Sequence, residues 1–213
     1  MKSASVALLT LLAAASDALR VVPTVRTTHD AMRAVPRMSA ATAVDATALL
    51  AAIDAAGTPV GIKASEEAQE AVSAAAEALR GTGAAAPARV PISGTYELLW
   101  SMAKGGSNGK VGPFVGAVTQ VVVDDENFIN QVSLFGGAVV VQLYAKREII
   151  GDNQIRVSFV ETVFNVFGKE VKRQPTTGQG VWKQLYVEKA EDGSAALRVM
   201  RTPSLFVLRQ RPS

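Results

Sequence analysis

Two periodicities divide the chain. Between residues 44 and 80, apolar side chains recur three and four positions apart: Val44, Ala48, Leu49, Ala52 and Ile53, then Ala68, Ala71, Val72, Ala75 and Leu79. That spacing covers one face of a helix and predicts two short helices, separated by the breakers Gly57, Pro59 and Gly61. Asp45 is the expected N-cap of the first and Ser65 of the second. Glu66, Glu67 and Glu70 follow Ser65, where the helix dipole favours acids. Arg80-Gly81 ends the second helix, and residues 81–91, with Gly81, Gly83, Pro87 and Pro91, read as a linker.

From Ile92 onward the period falls to two. Tyr96, Leu98, Trp100 and Met102 alternate with Thr95, Glu97, Leu99 and Ser101, which predicts a strand with those four side chains on one face. Further strands are expected at 115–124, 128–135, 139–147, 155–163, 181–187, 195–200 and 204–209. Turns fall at Asp124-Asp125-Glu126-Asn127, Gly136-Gly137 and Gly151-Asp152-Asn153. About eight strands at hairpin spacing, with no helix between them, point to a sandwich or an up-and-down barrel. An eight-stranded barrel has just enough room for one small apolar ligand. Ten side chains are candidates to line it: Tyr96, Leu98, Trp100, Met102, Val139, Val141, Leu143, Phe159, Leu185 and Val187. A lined interior and a filled core fit the pattern equally.

Composition narrows the chemistry. The 213 residues include no Cys and one His, His29. Disulfides, thiolate nucleophiles and Cys-based metal sites are excluded, and no Ser in the body has a His partner. The acidic run 124–126 lacks the Gly and terminal Glu of a calcium loop and reads as a solvated turn. Gly105-Gly106-Ser107-Asn108-Gly109-Lys110 lacks P-loop spacing and reads as a strand connection. Lys169 to Arg173 carries no interleaved aromatics and reads as an exposed hairpin. No catalytic residue, metal site or cofactor is expected.

The net charge of +3 lies entirely in residues 1–38, which hold five basic and two acidic residues. The remaining 175 residues hold 17 of each, which gives no electrostatic case for a nucleic-acid partner. Residues 1–18 have a signal-peptide pattern: Lys2, an uncharged run with Val6, Leu8, Leu9, Leu11 and Leu12, then small residues at Ala13, Ala15, Ser16 and Ala18. That run is too short for a stable span; an ordinary buried helix is its other reading. Residues 19–38, with Arg20, Arg26, Arg33 and Arg37 among Thr24, Thr27 and Thr28, have a transit-peptide composition. In tandem they resemble the bipartite presequences of algae with complex plastids; the alternative is a secreted protein with a basic pro-segment.

Three stretches carry a family resemblance. They are Leu49-Leu50-Ala51-Ala52-Ile53 with Gly57-Thr58, Gly61, Ala64-Ser65 and Glu67; Ile92-Ser93-Gly94-Thr95-Tyr96-Glu97-Leu98-Leu99-Trp100-Ser101; and Gly180-Val181-Trp182 through Leu185-Tyr186-Val187-Glu188 and Leu197-Arg198-Val199-Met200-Arg201 to Leu205-Phe206-Val207-Leu208. Their order and spacing resemble the plastid-lipid-associated proteins, or plastid fibrillins, over residues 48–209. The resemblance implies a mainly β fold: a lipocalin-like antiparallel barrel (91–213) preceded by two short N-terminal helices and a linker (39–90). It also implies a non-enzymatic protein of plastoglobules or thylakoids. Its partners would be apolar lipids or isoprenoids such as carotenoids and prenylquinones. A coat protein without an internal ligand, and an accessory protein of isoprenoid-quinone metabolism, are the competing readings. Such barrels commonly set a Gly-x-Trp on the first strand near an Arg from the last strands. Here Gly94-Thr95-Tyr96 is the counterpart, with Gly94 expected to allow close backbone approach. Arg198, Arg201 and Arg209 are the partners, Arg209 being favoured.

Overall fold

The computed structural model describes residues 46–212 apart from 105–107 and 112. The presequence readings, Asp45 and His29 therefore lie outside the described residues. Two helices, α1 (Thr47–Ala56) and α2 (Glu66–Ala78), precede eleven strands. The strands are β1 (Thr95–Ser101), β2 (Lys110–Val111), β3 (Phe114–Val115), β4 (Ala117–Val122), β5 (Asn127–Leu134), β6 (Val139–Gly151), β7 (Gln154–Val166), β8 (Lys169–Pro175), β9 (Gln179–Lys189), β10 (Ala195–Thr202) and β11 (Ser204–Gln210).

Local chemistry sets the helix ends. Gly57 takes a left-handed conformation (φ 63°) that closes α1. The Ser65 hydroxyl accepts from the Ala68 N–H at 3.3 Å and caps α2.

Eight strands close into an antiparallel barrel. The order runs β6-β5-β4-β1-β11-β10-β9-β7, and β7 pairs back onto β6. Apart from two insertions, neighbours in sequence are neighbours in space, as in an up-and-down barrel. One insertion is the short β2–β3 hairpin between β1 and β4; the other is β8, attached to the free edge of β7. The two helices lie on the outer face of the β9–β10–β11–β1 half. Leu49, Ile53, Val72, Ala76 and Leu79 pack there against Trp100, Leu185, Tyr186, Leu197, Val199, Leu205 and Val207. This explains the apolar runs Leu185-Tyr186-Val187 and Leu205-Phe206-Val207-Leu208, where both faces of the strand are covered.

The segment between α2 and β1 is more than a linker. Ala88, Val90 and Ile92 are buried, the Ala84 N–H donates to the Val187 carbonyl, and the Ala88 N–H donates to the Asp152 carbonyl. It is a strap laid against the barrel. Val90 and Ile92 pack with Tyr96, Val187, Met200 and Leu208, and Ala88 packs with Phe128, Ala145, Ile155 and Val157.

Candidate functional site

Two bulges sort the ten candidate wall residues. Opposite β11, the register slips between Leu98 and Trp100, so Leu98 faces Leu208 while Trp100 faces Val207. Opposite β10, Tyr186 pairs with Val199 and Gln184 with Met200, which leaves Leu185 as the extra residue of β9. Tyr96, Leu98 and Val187 consequently pack together inside the barrel, with Met200, Leu208 and Phe206. Trp100, Met102 and Leu185 lie on the helix side instead. The expectation that Trp100 and Met102 share the face of Tyr96 is thus corrected: one inserted residue, Leu99, turns the strand over. Along β6, Val139, Val141 and Leu143 share a face with buried Ala145, and Phe159 packs against the Phe128–Ile155–Val157 cluster.

The interior holds a charge. Arg198 is 3 % exposed and alternates with Leu197 and Val199, which face the helices, so its side chain points inward. The guanidinium lies 5.3 Å from the centroid of the Tyr96 ring, within cation–π range. Its Nη1 donates to Gln120 Oε1 at 2.6 Å, and Gln120 Nε2 donates in turn to Asn130 Oδ1 at 3.0 Å. Among the described residues no carboxylate pairs with Arg198. Burial pushes its pKa down to about 10, which leaves it charged at neutral pH. Tyr96 is fully buried, and desolvation raises its phenol pKa; the hydroxyl donates to the Ala195 carbonyl at 2.8 Å. Gln184, also inward, leaves its Oε1 without a partner. This polar thread joins β10 to β4 and β5, past β11 and β1.

Arg209, the favoured partner of Tyr96, is elsewhere. It is exposed and forms an ion pair with Glu97 at 2.8 Å, while Arg201 reaches Glu77 at 3.4 Å. On β11 the Arg209 side chain falls on the opposite face from Leu208 and is exposed to solvent. The role expected of Gly94 also changes. A side chain there would meet only Gln210 Nε2 at 3.7 Å, so space is not the constraint; the backbone is, with φ at 74°. Gly94→Ala is expected to cost about 1 kcal/mol through that conformation alone, measurable as a shift in urea midpoint.

Gln120 and Asn130 escaped the reading of the sequence. Gln120 has the parity of Val118 and Val122 on β4, and a polar residue on an apolar face is the signal that marks it. The acidic run does build a turn: the Asp124 carboxylate accepts from Asn127 Nδ2 at 2.8 Å and from the Glu126 and Asn127 N–H groups at 2.8 and 2.7 Å, which together hold it below the usual range. The strand carboxylates Glu97 and Glu161 form ion pairs with Arg209 and Arg173.

The family model PAP_fibrillin matches residues 46–202, from the start of α1 to the end of β10. The chain belongs to the plastid lipid-associated protein (fibrillin) family. No curated protein and no solved structure matches it. Its matched span takes in both helices, the strap and most of the barrel, so the helical layer is part of the fibrillin unit and not an appendage. The fibrillin family is structural and lipid-associated, and plastids are where its members belong.

Proposed function

We propose that this fibrillin is a non-enzymatic plastid protein that binds or organises apolar lipids, such as carotenoids, prenylquinones or acyl lipids, at plastoglobules or thylakoids. The family match over residues 46–202 carries the proposal. The barrel supports it, since an apolar ligand needs area and shape before titrating groups. Val139, Leu143 and Phe159 are half-buried, and they are the candidate wall residues for an apolar chain. Organic extraction of the purified protein followed by mass spectrometry should recover a lipid in stoichiometric amount. A protein that carries no lipid and does not bind lipid globules would overturn the proposal.

A specific observation favours a coat without an internal ligand as the second reading. Around Arg198 the interior is filled, with Tyr96, Val187, Met200 and Leu208 all buried against one another. Lipid-free protein that still coats globules would select it. For delivery, we propose import by the bipartite presequence. A fluorescent fusion lacking residues 1–18 should then miss the plastid, and normal import of that fusion would reject the two-step route.

A further inference from the structure

Three phenylalanines sit at adjacent tips of one end of the barrel, and all three are largely exposed. Phe114 belongs to the β2–β3 hairpin, Phe135 to the β5–β6 turn and Phe167 to the β7–β8 turn. They are 48 %, 60 % and 82 % exposed. The tips are neighbours: the Phe114 and Phe135 rings lie 4.8 Å apart edge to face, and the Phe167 N–H donates to the Ala138 carbonyl at 2.7 Å.

Two of these rings are held at a conformational cost. Phe135 and Phe167 have φ of 52° and 50°, and they are the non-glycine residues with positive φ among those described. Each precedes a glycine that is also left-handed, at 66° and 76°. Val166 and Lys169 pair across Phe167-Gly168, which makes that connection a two-residue hairpin turn. Such turns favour Asn or Asp at the first position, and a bulky side chain there is an outlier. Phe135 gains only the edge-to-face contact with Phe114, and Phe167, the most exposed, has no ring contact among the described residues, so the return on this strain points outside the chain.

The charge around the tips is net positive. Residues 103–122 contain Lys104 and Lys110 and no acid, and residues 128–145 contain no acid. Lys169 and Lys172 flank Phe167, neither of them in an ion pair among the described residues, while Arg173 is shared between Glu170, at 2.8 Å, and Glu161, so the three cations of β8 outnumber these two acids by one. Aromatic tips on a stretch of net positive charge match a surface with an apolar interior and anionic headgroups.

We propose that Phe114, Phe135 and Phe167 form the edge by which the barrel inserts into an anionic lipid surface. This rests on the lipid-associated reading above and names the part of the molecule that meets the lipid. The test is sedimentation of the full chain with vesicles of equal parts phosphatidylcholine and phosphatidylglycerol. Phe135→Asn/Phe167→Asn should reduce the partition coefficient by about tenfold or more, from the loss of two inserting rings. The same variant should melt at or above the wild-type temperature, because Asn suits the turn better than Phe. Unchanged binding would overturn the proposal and give the tips to a protein partner; a lowered melting temperature would overturn it by making the rings structural. Vesicles of phosphatidylcholine alone should bind less, and equal binding would overturn the assignment of anionic headgroups. Phe167→Trp adds a local probe: brominated lipid should quench it, whatever residues 1–45 contribute to binding, and lack of quenching would overturn the insertion. If the wild type neither sediments nor carries extractable lipid, the proposed function itself fails. If it carries lipid while the tip variants bind normally, only the tip assignment fails.

Discussion

Trp100→Ala is expected to lower the unfolding free energy by about 3–5 kcal/mol, the range for removing a large aromatic from a core. Trp100 is fully buried where β1, α1 and α2 meet, and it packs with Leu49, Ile53, Val72 and Val207. Gly61 shows how tight the fit is. A β-carbon on it would lie 2.7 Å from the indole ring and 2.6 Å from Met102 Sδ. Alanine at 100 would therefore remove the side chain against which the turn after α1 is moulded. The indole N–H has no hydrogen-bond partner, so Trp100→Phe discards an unsatisfied donor along with some apolar area and should cost less than half as much. Urea denaturation monitored by circular dichroism separates the two substitutions. A loss under about 1 kcal/mol for Trp100→Ala would mean that the helical layer contributes little to the fold.

Arg198→Ala is expected to cost about 2–4 kcal/mol, by opening a cavity, removing the contact with Tyr96 and orphaning Gln120 Oε1. Arg198→Met should stay within about 1 kcal/mol of wild type, because it keeps volume and relieves a buried charge. The pH dependence has a definite sign. Burial sets the folded pKa, about 10, below the ordinary guanidinium value, so the unfolded chain holds this proton more tightly. The penalty of the charge is therefore constant at neutral pH and is relieved only as pH rises past about 10. The stability difference between wild type and Arg198→Met should be flat from about pH 5 to 9. A steep dependence in that window would point to a titrating partner for the guanidinium.

Much of the barrel is written in alternation. Thr95 to Leu98 and Val139 to Ala145 each put apolar and polar side chains on opposite faces, and their strands form with that orientation. The bulges at Leu99 and Leu185 were hidden because Leu98-Leu99-Trp100 and Leu185-Tyr186-Val187 are apolar throughout, and a slip of one residue leaves such a run unchanged. Strand β8 was hidden for the opposite reason. Lys169 to Gln174 is polar on both faces except for Val171, and an edge strand with no buried face has no period to read. Between the candidates Arg198 and Arg209, the sequence favours Arg209, which follows the apolar pair Val207 and Leu208 on the terminal strand, and nothing in the pattern marks Arg198 as inward. Here the helices occupy the outer face of β10 and leave the barrel interior as the only place for it. That layer is built from residues 46–79, remote in sequence from the strand it covers.

The ladder itself is uneven around the ring. Strand β1 meets β4 over three residue pairs, Thr95–Val121, Tyr96–Gln120 and Glu97–Thr119. Strand β7 meets β9 over five, from Gln154–Lys183 to Ser158–Gln179, before its edge passes to β8. The β1–β11 seam also has five pairs but reaches across a bulge from Tyr96 to Ser101; the remaining seams run longer, and β6 and β7 stay paired from Val139–Val166 to Gly151–Gln154. The cylinder is thus two stiff shells, β4 to β8 and β9 to β1, joined along two short hems. Thermal opening concentrates where the fewest bonds must break together. Amide protons on the hems should exchange with solvent ahead of those in the β6–β7 ladder, and the shells should part by breathing along these lines while each keeps its own weave.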